Sequence, residues 1–268
     1  MTDIGGPNYS LDAYKPNEIA KLIESGGVAK AELPLLKMAT LGVLAGAFIA
    51  FGAMFYTLVL TGSGLGFGPG RLLGGVAFSL GLILVLVGGA ELFTGNNLIV
   101  MAWAERKVST AALLRNWAVV YLANLVGALG SVALFYLAGA LDISNGAVGE
   151  VAAGIARTKL DLDFTTALFR GILCNTLVCL AVWLSFAARD VTGKILAIIF
   201  PISAFVALGF EHSVANMFLI PIGMLAAGQG IDPVAVAANL VPVTLGNVVG
   251  GSGLVALVYW LVYLRDGR

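Results

Sequence analysis

The feature that most constrains this chain is a series of apolar runs, each close to the thickness of a bilayer. A spanning helix needs about 20 apolar residues. Such runs occupy 38–60, 110–141, 165–188 and 238–264, and two more begin near Leu72 and Ile195. Hydrophobic residues make up 59% of the 268-residue chain and charged residues 11%. Soluble domains carry about 25% charged residues. So few charges cannot cover so much apolar side chain in water, which excludes a soluble enzyme or a disordered chain. The formal net charge of +0 leaves no basic surface for nucleic acid. The expected class is an all-α membrane protein of six transmembrane helices.

Two of the six expected spans are broken. The second is interrupted at Glu91-Leu92-Phe93-Thr94-Gly95-Asn96-Asn97 and resumes at Leu98. The fifth is interrupted at Glu211-His212-Ser213 and resumes at Val214. Each break reads Glu-x4-Asn, from Glu91 to Asn96 and from Glu211 to Asn216, with a glycine two residues before the glutamate (Gly89, Gly209). The third and sixth spans share Asn-x7-Asn-x2-Gly, as Asn116, Asn124, Gly127 and Asn239, Asn247, Gly250. This is an internal repeat of three spans. An odd number of spans forces the second copy in upside down, so two inverted three-helix repeats with broken second and fifth helices are expected. Transporters build a central site from such repeats.

Lysine and arginine set the orientation. With the N-terminus inside, the inner face holds Lys15, Lys21, Lys30, Lys37, Arg106, Lys107, Arg115, Arg189, Lys194, Arg265 and Arg268. The outer face holds Arg71, Arg157 and Lys159, with Arg170 at the outer end of the fourth span. Both termini are therefore expected in the cytoplasm. Residues 1–36, with Asp3 and Asp12 among their charges, read as a cytoplasmic segment, and 37–268 as the transmembrane domain. Ile19, Leu22 and Ile23 are spaced as one face of a short amphipathic helix, ended by Gly26-Gly27. It is either a membrane-surface anchor or a movable plug over the inner mouth. Asp142 to Asp163 reads as a polar loop. No secretory signal pattern opens the chain.

Three ionisable side chains fall inside the spans: Glu91, Glu211 and His212. Charge at the bilayer centre costs at least ~2.5–3.5 kcal/mol, so each needs partners or water. His212 is the single histidine, and imidazole is the side chain that ordinarily titrates near neutral pH. It is either a proton-handling group or a neutral ring bonded to neighbouring helices. The glutamates are either functional or caps for broken backbone. Thr94 and His212 come from opposite breaks and can face each other, and Asn175 could bond either. Apolar residues surround them: Phe78, Leu82, Leu92, Phe93, Val178 and Phe205. A polar spot between apolar constrictions suits a small hydrophilic solute and opposes free ion flow, although aromatic residues of this kind also serve as packing or face lipid. Cys174 and Cys179 have no metal or redox spacing and read as packing residues. No metal site and no cofactor are expected. Gly250-Gly-Ser252-Gly fits an intramembrane serine-protease motif only weakly, and the repeat assigns Gly250 to packing, so no enzyme is expected.

At these residues the chain becomes recognisable. Phe78-Ser-Leu-Gly-Leu-Ile-Leu84, Gly89-Ala-Glu-Leu-Phe-Thr-Gly95, Cys174-Asn-Thr-Leu-Val-Cys-Leu-Ala-Val-Trp183, Gly209-Phe-Glu-His-Ser-Val-Ala-Asn-Met217 and Pro242-Val-Thr-Leu-Gly-Asn-Val-Val-Gly-Gly251 resemble the formate/nitrite transporter family, nearest its formate channels. The resemblance implies an aquaporin-like protomer and a homopentamer in the bacterial inner membrane, with one pore per subunit. It implies His212 as the central histidine, with Thr94 and Asn175 beside it and Glu211 and Asn175 orienting the ring. It puts Lys159 at the outer vestibule, an inner constriction at Phe78, Leu82 and Phe205, and an outer one at Leu92, Phe93 and Val178. The implied cargo is formate, drawn in by Lys159 and helped across by a proton or strong hydrogen bond from His212. Gly95-Asn96 looks more like the nitrite branch, which keeps nitrite, then hydrosulfide, as alternatives.

Overall fold

In an apolar solvent every backbone amide must be satisfied within its own segment, which favours helix throughout. The computed structural model describes residues 13–265, all helix or short connection. Asp3, Asp12 and Arg268 lie outside the described residues. An N-terminal helix α1 (Pro16–Ala31) precedes α2 (Leu35–Leu60) and α3 (Phe67–Gly88). After a break come a 3-10 turn (Gly95–Ile99), the short α4 (Val100–Ala104) and α5 (Thr110–Leu137). Then follow α6 (Ala147–Leu160), α7 (Phe164–Ala187), α8 (Val191–Ala207), α9 (Ser213–Ala226) and α10 (Pro233–Val248). The last continues through a π-helical stretch (Val249–Leu257) into α11 (Val258–Tyr263).

Five segments are long and apolar enough to cross a membrane: α2, α3, α5, α7 and the run from Pro233 to Tyr263. Two apolar helices are shorter, α8 with 17 residues and α9 with 14. Large side chains such as Leu122, Leu134, Leu137 and Phe200 lie on the outside. That surface suits lipid, and the chain is an integral membrane protein.

With lipid outside, close backbone approach supplies the packing that water would otherwise drive. A Cβ on Gly127 of α5 would run into the Val43 carbonyl of α2. One on Gly250 would run into the Ile172 carbonyl of α7. The glycines of the Asn-x7-Asn-x2-Gly pattern are thus the contact points of two equivalent helix pairs.

Two expectations are corrected. The polar stretch 142–163 is mostly α6, because its Val148, Ala152 and Ala156 form an apolar stripe, buried to 2% exposure or less. The Ala152 carbonyl and Ala156 methyl abut Gly223 of α9. Nor do Gly26-Gly27 end α1, which runs on to Ala31. Gly27 instead lets α1 approach Ile99 and Ala102.

Candidate functional site

Both breaks occur where a glycine takes a positive φ, Gly89 at 88° and Gly209 at 73°, a conformation that ends a helix readily. The chain then runs extended for a few residues, and its amides find partners on other helices. Glu91 N–H donates to the Leu41 carbonyl (3.2 Å) and Glu211 N–H to the Arg170 carbonyl (3.3 Å). Asn124 of α5 clamps the first break. Its Oδ1 accepts from Phe93 N–H (2.9 Å), and its Nδ2 donates to the carbonyls of Glu91 (2.9 Å) and Gly42 (2.7 Å). Asn247 of α10 does the same at the second, accepting from Ser213 N–H (2.9 Å) and donating to the Glu211 (3.0 Å) and Gly171 (2.9 Å) carbonyls.

The glutamates do not cap backbone. Glu91 accepts from Lys30 Nζ (2.6 Å) and Asn96 Nδ2 (2.7 Å). Asn96 also donates to Asn116 Oδ1 (2.9 Å), and Asn116 donates to the Lys30 carbonyl (3.0 Å). Glu211 accepts from Lys159 Nζ (3.0 and 3.1 Å) and Asn216 Nδ2 (2.6 Å). Asn216 donates to Asn239 (2.8 Å), and Asn239 to the Lys159 carbonyl (2.9 Å). The two closed rings of Lys, Glu, Asn and Asn match member for member. Each buried carboxylate is thereby paired and further hydrogen-bonded, the condition under which such a charge is tolerated.

His212 bridges the two breaks. Its Nε2 lies 2.9 Å from Thr94 Oγ1, and both residues are almost fully buried. Its Nδ1 accepts the Ala215 N–H (3.0 Å), which makes the imidazole the N-cap of α9. A backbone N–H can only donate, so Nδ1 carries the lone pair and Nε2 the proton. The ring therefore donates to Thr94 and leaves the Thr94 hydroxyl hydrogen available. Its plane stacks on Phe205 (centroids 6.0 Å apart, 19° between planes), and Phe205 meets Phe78 edge-on (5.6 Å).

Two cavities lie toward opposite ends of α3, and the one on the Arg71 side reaches His212. One, of about 340 Å³, is lined by Arg71, Phe78, Lys159, Phe205, Glu211 and His212, among others. The other, of about 560 Å³, is lined by Tyr14, Lys30, Leu82, Glu91, Leu92 and Lys194, among others. Tyr14 also donates its N–H to the Ala187 carbonyl (3.0 Å), with the Arg189 guanidinium 4.0 Å from its ring centre. This half-pore geometry can hold a small polar solute between two apolar collars. Among the described residues no cluster of His, Cys, Asp and Glu could hold a metal ion.

A family profile described as formate/nitrite transporter matches residues 17–261. The chain belongs to the formate/nitrite transporter family. Among its curated relatives, the formate channel FocA of Escherichia coli (strain K12) is 42% identical, over 96% of each chain. A probable formate transporter of Methanothermobacter thermautotrophicus is 41% identical, over 94% of this chain and 97% of the relative. A solved pentameric formate channel with formate bound superposes with a TM-score of 0.79 at 41% identity, covering 86% of this chain and 98% of that one.

The geometry bears on several of the expected site residues. Phe78 and Phe205 line the cavity on the Lys159 side, not the Lys30 side, and Leu82 and Leu92 line the other. The helical rise explains it: α3 runs from Arg71 toward the Lys30 side, and four residues at 1.5 Å each place Leu82 about 6 Å further along than Phe78. Phe93 and Val178 are buried and, like Thr94, line neither of the two cavities. Phe93 packs edge-on against Tyr121 (4.9 Å) and Trp117 (6.1 Å). Of the two partners expected for Asn175, its amide bonds Thr94, through the carbonyl (3.2 Å), and not the imidazole; it also donates to Asn97 Oδ1 (2.7 Å) and the Asn247 carbonyl (2.7 Å). Glu211 faces Lys159, so Ala215 and Thr94 orient the ring instead. Ser252 donates to the Asn97 carbonyl (3.3 Å), whereas the partners of His212 are Thr94 and Ala215.

Sequence reasoning missed Lys30, although a signal was present. Lys30-Ala-Glu-Leu33 and Lys159-Leu-Asp-Leu162 share Lys-x-acid-Leu, each lysine 12 residues before a packing glycine (Gly42, Gly171). It also missed the clamping roles of Asn124 and Asn247, and it missed Arg71 as a lining residue.

Proposed function

We propose that the protein is a formate channel of the inner membrane, working as a homopentamer with one pore per protomer. The observation that carries this is the buried Thr94–His212 pair between two cavities with apolar collars. The likeness to formate channels supports the substrate and the pentamer. The matched Lys–Glu–Asn–Asn rings support a layout of six passes in two inverted repeats, α3 and the pair α8–α9 being the broken ones. The lysine and arginine distribution supports cytoplasmic termini. Residues 37–268 carry the conduit, and α1 from the segment 1–36 walls its inner mouth.

A bare anion is opposed by the collars at Phe78 and Phe205 and at Leu82 and Leu92. The His212 Nε2–H polarises Thr94, whose hydroxyl then donates to a formate oxygen at the narrowest point. A hydrogen bond fits this geometry better than transfer of a proton from the ring. A second proton on the ring could land only on Nδ1, at the expense of the α9 cap. Proton-coupled uptake through His212 is the competing form of the mechanism. Nitrite is the competing substrate, favoured by Gly95-Asn96, and hydrosulfide follows it.

Proteoliposome flux tests the reading. Wild-type protein carries formate, with nitrite competing weakly, and His212→Phe loses at least about tenfold in flux, the effect of roughly one lost buried hydrogen bond, while the pentamer persists. Equal flux in the variant would remove the central role of His212. Nitrite outcompeting formate would move the protein to the nitrite branch.

A further inference from the structure

The outer cavity holds three cations, and their surroundings differ. Lys159 is in contact with both oxygens of Glu211, and its side chain is 13% exposed. That pair is nearly neutral as seen from the cavity, and it is fully occupied in holding the second break together. Arg71 is different. Its Nε donates to the Ala207 carbonyl (3.1 Å) and its Nη2 to the Val206 carbonyl (3.2 Å), the last turn of α8 before the break. Its guanidinium lies 5.6 Å from the Phe67 ring centre. Among the described residues no carboxylate is within ion-pair distance of it. A helix C-terminus carries about half a negative charge, spread over its free carbonyls. That holds the guanidinium in place without cancelling it. Two of the five N–H groups of an arginine side chain are used here, and the others remain available in the cavity that ends at His212.

Gly209 fits the same account. A Cβ there would come within 2.8 Å of Arg71 Nη2, so the glycine admits the guanidinium against the break as well as turning the chain. Arg170 lines the same cavity and adds to the positive field.

We propose that Arg71 is the residue that recruits small monovalent anions at the outer mouth, and that it also pins the broken end of α8. In this arrangement the Lys159–Glu211 pair is a brace. Selectivity for anion entry then comes from a guanidinium held by backbone carbonyls beside the pore. The proposal deepens the channel reading and rests on it.

The test is formate flux into right-side-out proteoliposomes against external concentration, for wild type, Arg71→Gln, Arg71→Lys and Arg157→Gln. Arg157 is an outer cation that lines a separate surface cavity. Arg71→Gln raises the half-saturating formate concentration roughly three- to tenfold, the effect of one partly screened charge at several ångströms, and loses most of the salt sensitivity of entry. Maximal flux stays within about twofold, because the chemistry at His212 is untouched. Arg71→Lys keeps the wild-type half-saturation and salt dependence while lowering the thermal midpoint through the lost carbonyl contacts. Arg157→Gln resembles wild type. An unchanged half-saturation in Arg71→Gln, or an equal shift in Arg157→Gln, would overturn the proposal and leave the channel intact. A wild type that carries no formate would sink both.

Discussion

His212 does two jobs with two nitrogens. Nδ1 caps α9 through Ala215, and Nε2 meets Thr94 across the break. The helix therefore chooses the tautomer, because a lone pair must face the Ala215 N–H. Since the chain has one histidine, nitrogen-15 histidine labelling reads this residue alone. The expected spectrum at pH 8 is that of the Nε2–H tautomer, with an unprotonated Nδ1. A spectrum dominated by Nδ1–H would mean that the cap is absent and that the donor to Thr94 lies elsewhere. Thr94 itself was legible from its place opposite His212 in the repeat. The partner of His212 Nδ1 was not legible, because a backbone amide leaves no mark on residue identity.

At the scale of elements, the breaks are maintained from outside themselves. The extended residues after Gly89 and Gly209 expose amides that lipid could not satisfy. Asn124 and Asn247 supply both a donor and an acceptor to each break, which serine or glutamate could not do with the same geometry. Asn124→Ala orphans the Phe93 N–H and the Glu91 carbonyl. The expected loss is about 2–6 kcal/mol, at 1–3 per buried group, and Asn247→Ala matches it through Ser213 and Glu211. Thermal unfolding in detergent measures both. An unchanged midpoint would mean that water or another side chain serves the break. The Asn-x7-Asn-x2-Gly pattern was visible from the outset. Its meaning needed the fold, since the clamp joins residues more than 30 positions apart.

At the scale of the molecule, α1 is built into the wall of the cavity beside Glu91. Its Lys30 neutralises Glu91, its carbonyl holds Asn116, and its Ile19 and Ile23 are buried. Lys30 on α1 stands to Glu91 as Lys159 on α6 stands to Glu211, so the amphipathic helix and the supposed polar loop are counterparts. Deleting residues 1–33 therefore does more than uncover the cavity that Leu22 and Lys30 line, because it leaves Glu91 buried without a cation. The unpaired carboxylate accounts for about 1–3 kcal/mol of the destabilisation, reduced from the fully buried case because Lys30 is partly exposed, and Glu91→Gln in the truncated protein recovers that part. A truncated protein as stable as the full chain would make α1 a detachable plug. The apolar runs, the broken spans, the orientation signal and the residues of the centre were set by the amino-acid sequence itself. Hydropathy and helical length follow from composition and spacing, and a polar residue within an apolar span needs a partner, which marks the breaks. The tertiary structure alone decided which cavity Phe78 and Phe205 line, that α6 is a helix, and that Lys30 and Arg71 line the two cavities. Those outcomes depend on which helix passes behind which, and such distances arise from packing between segments that one-dimensional periodicity does not record.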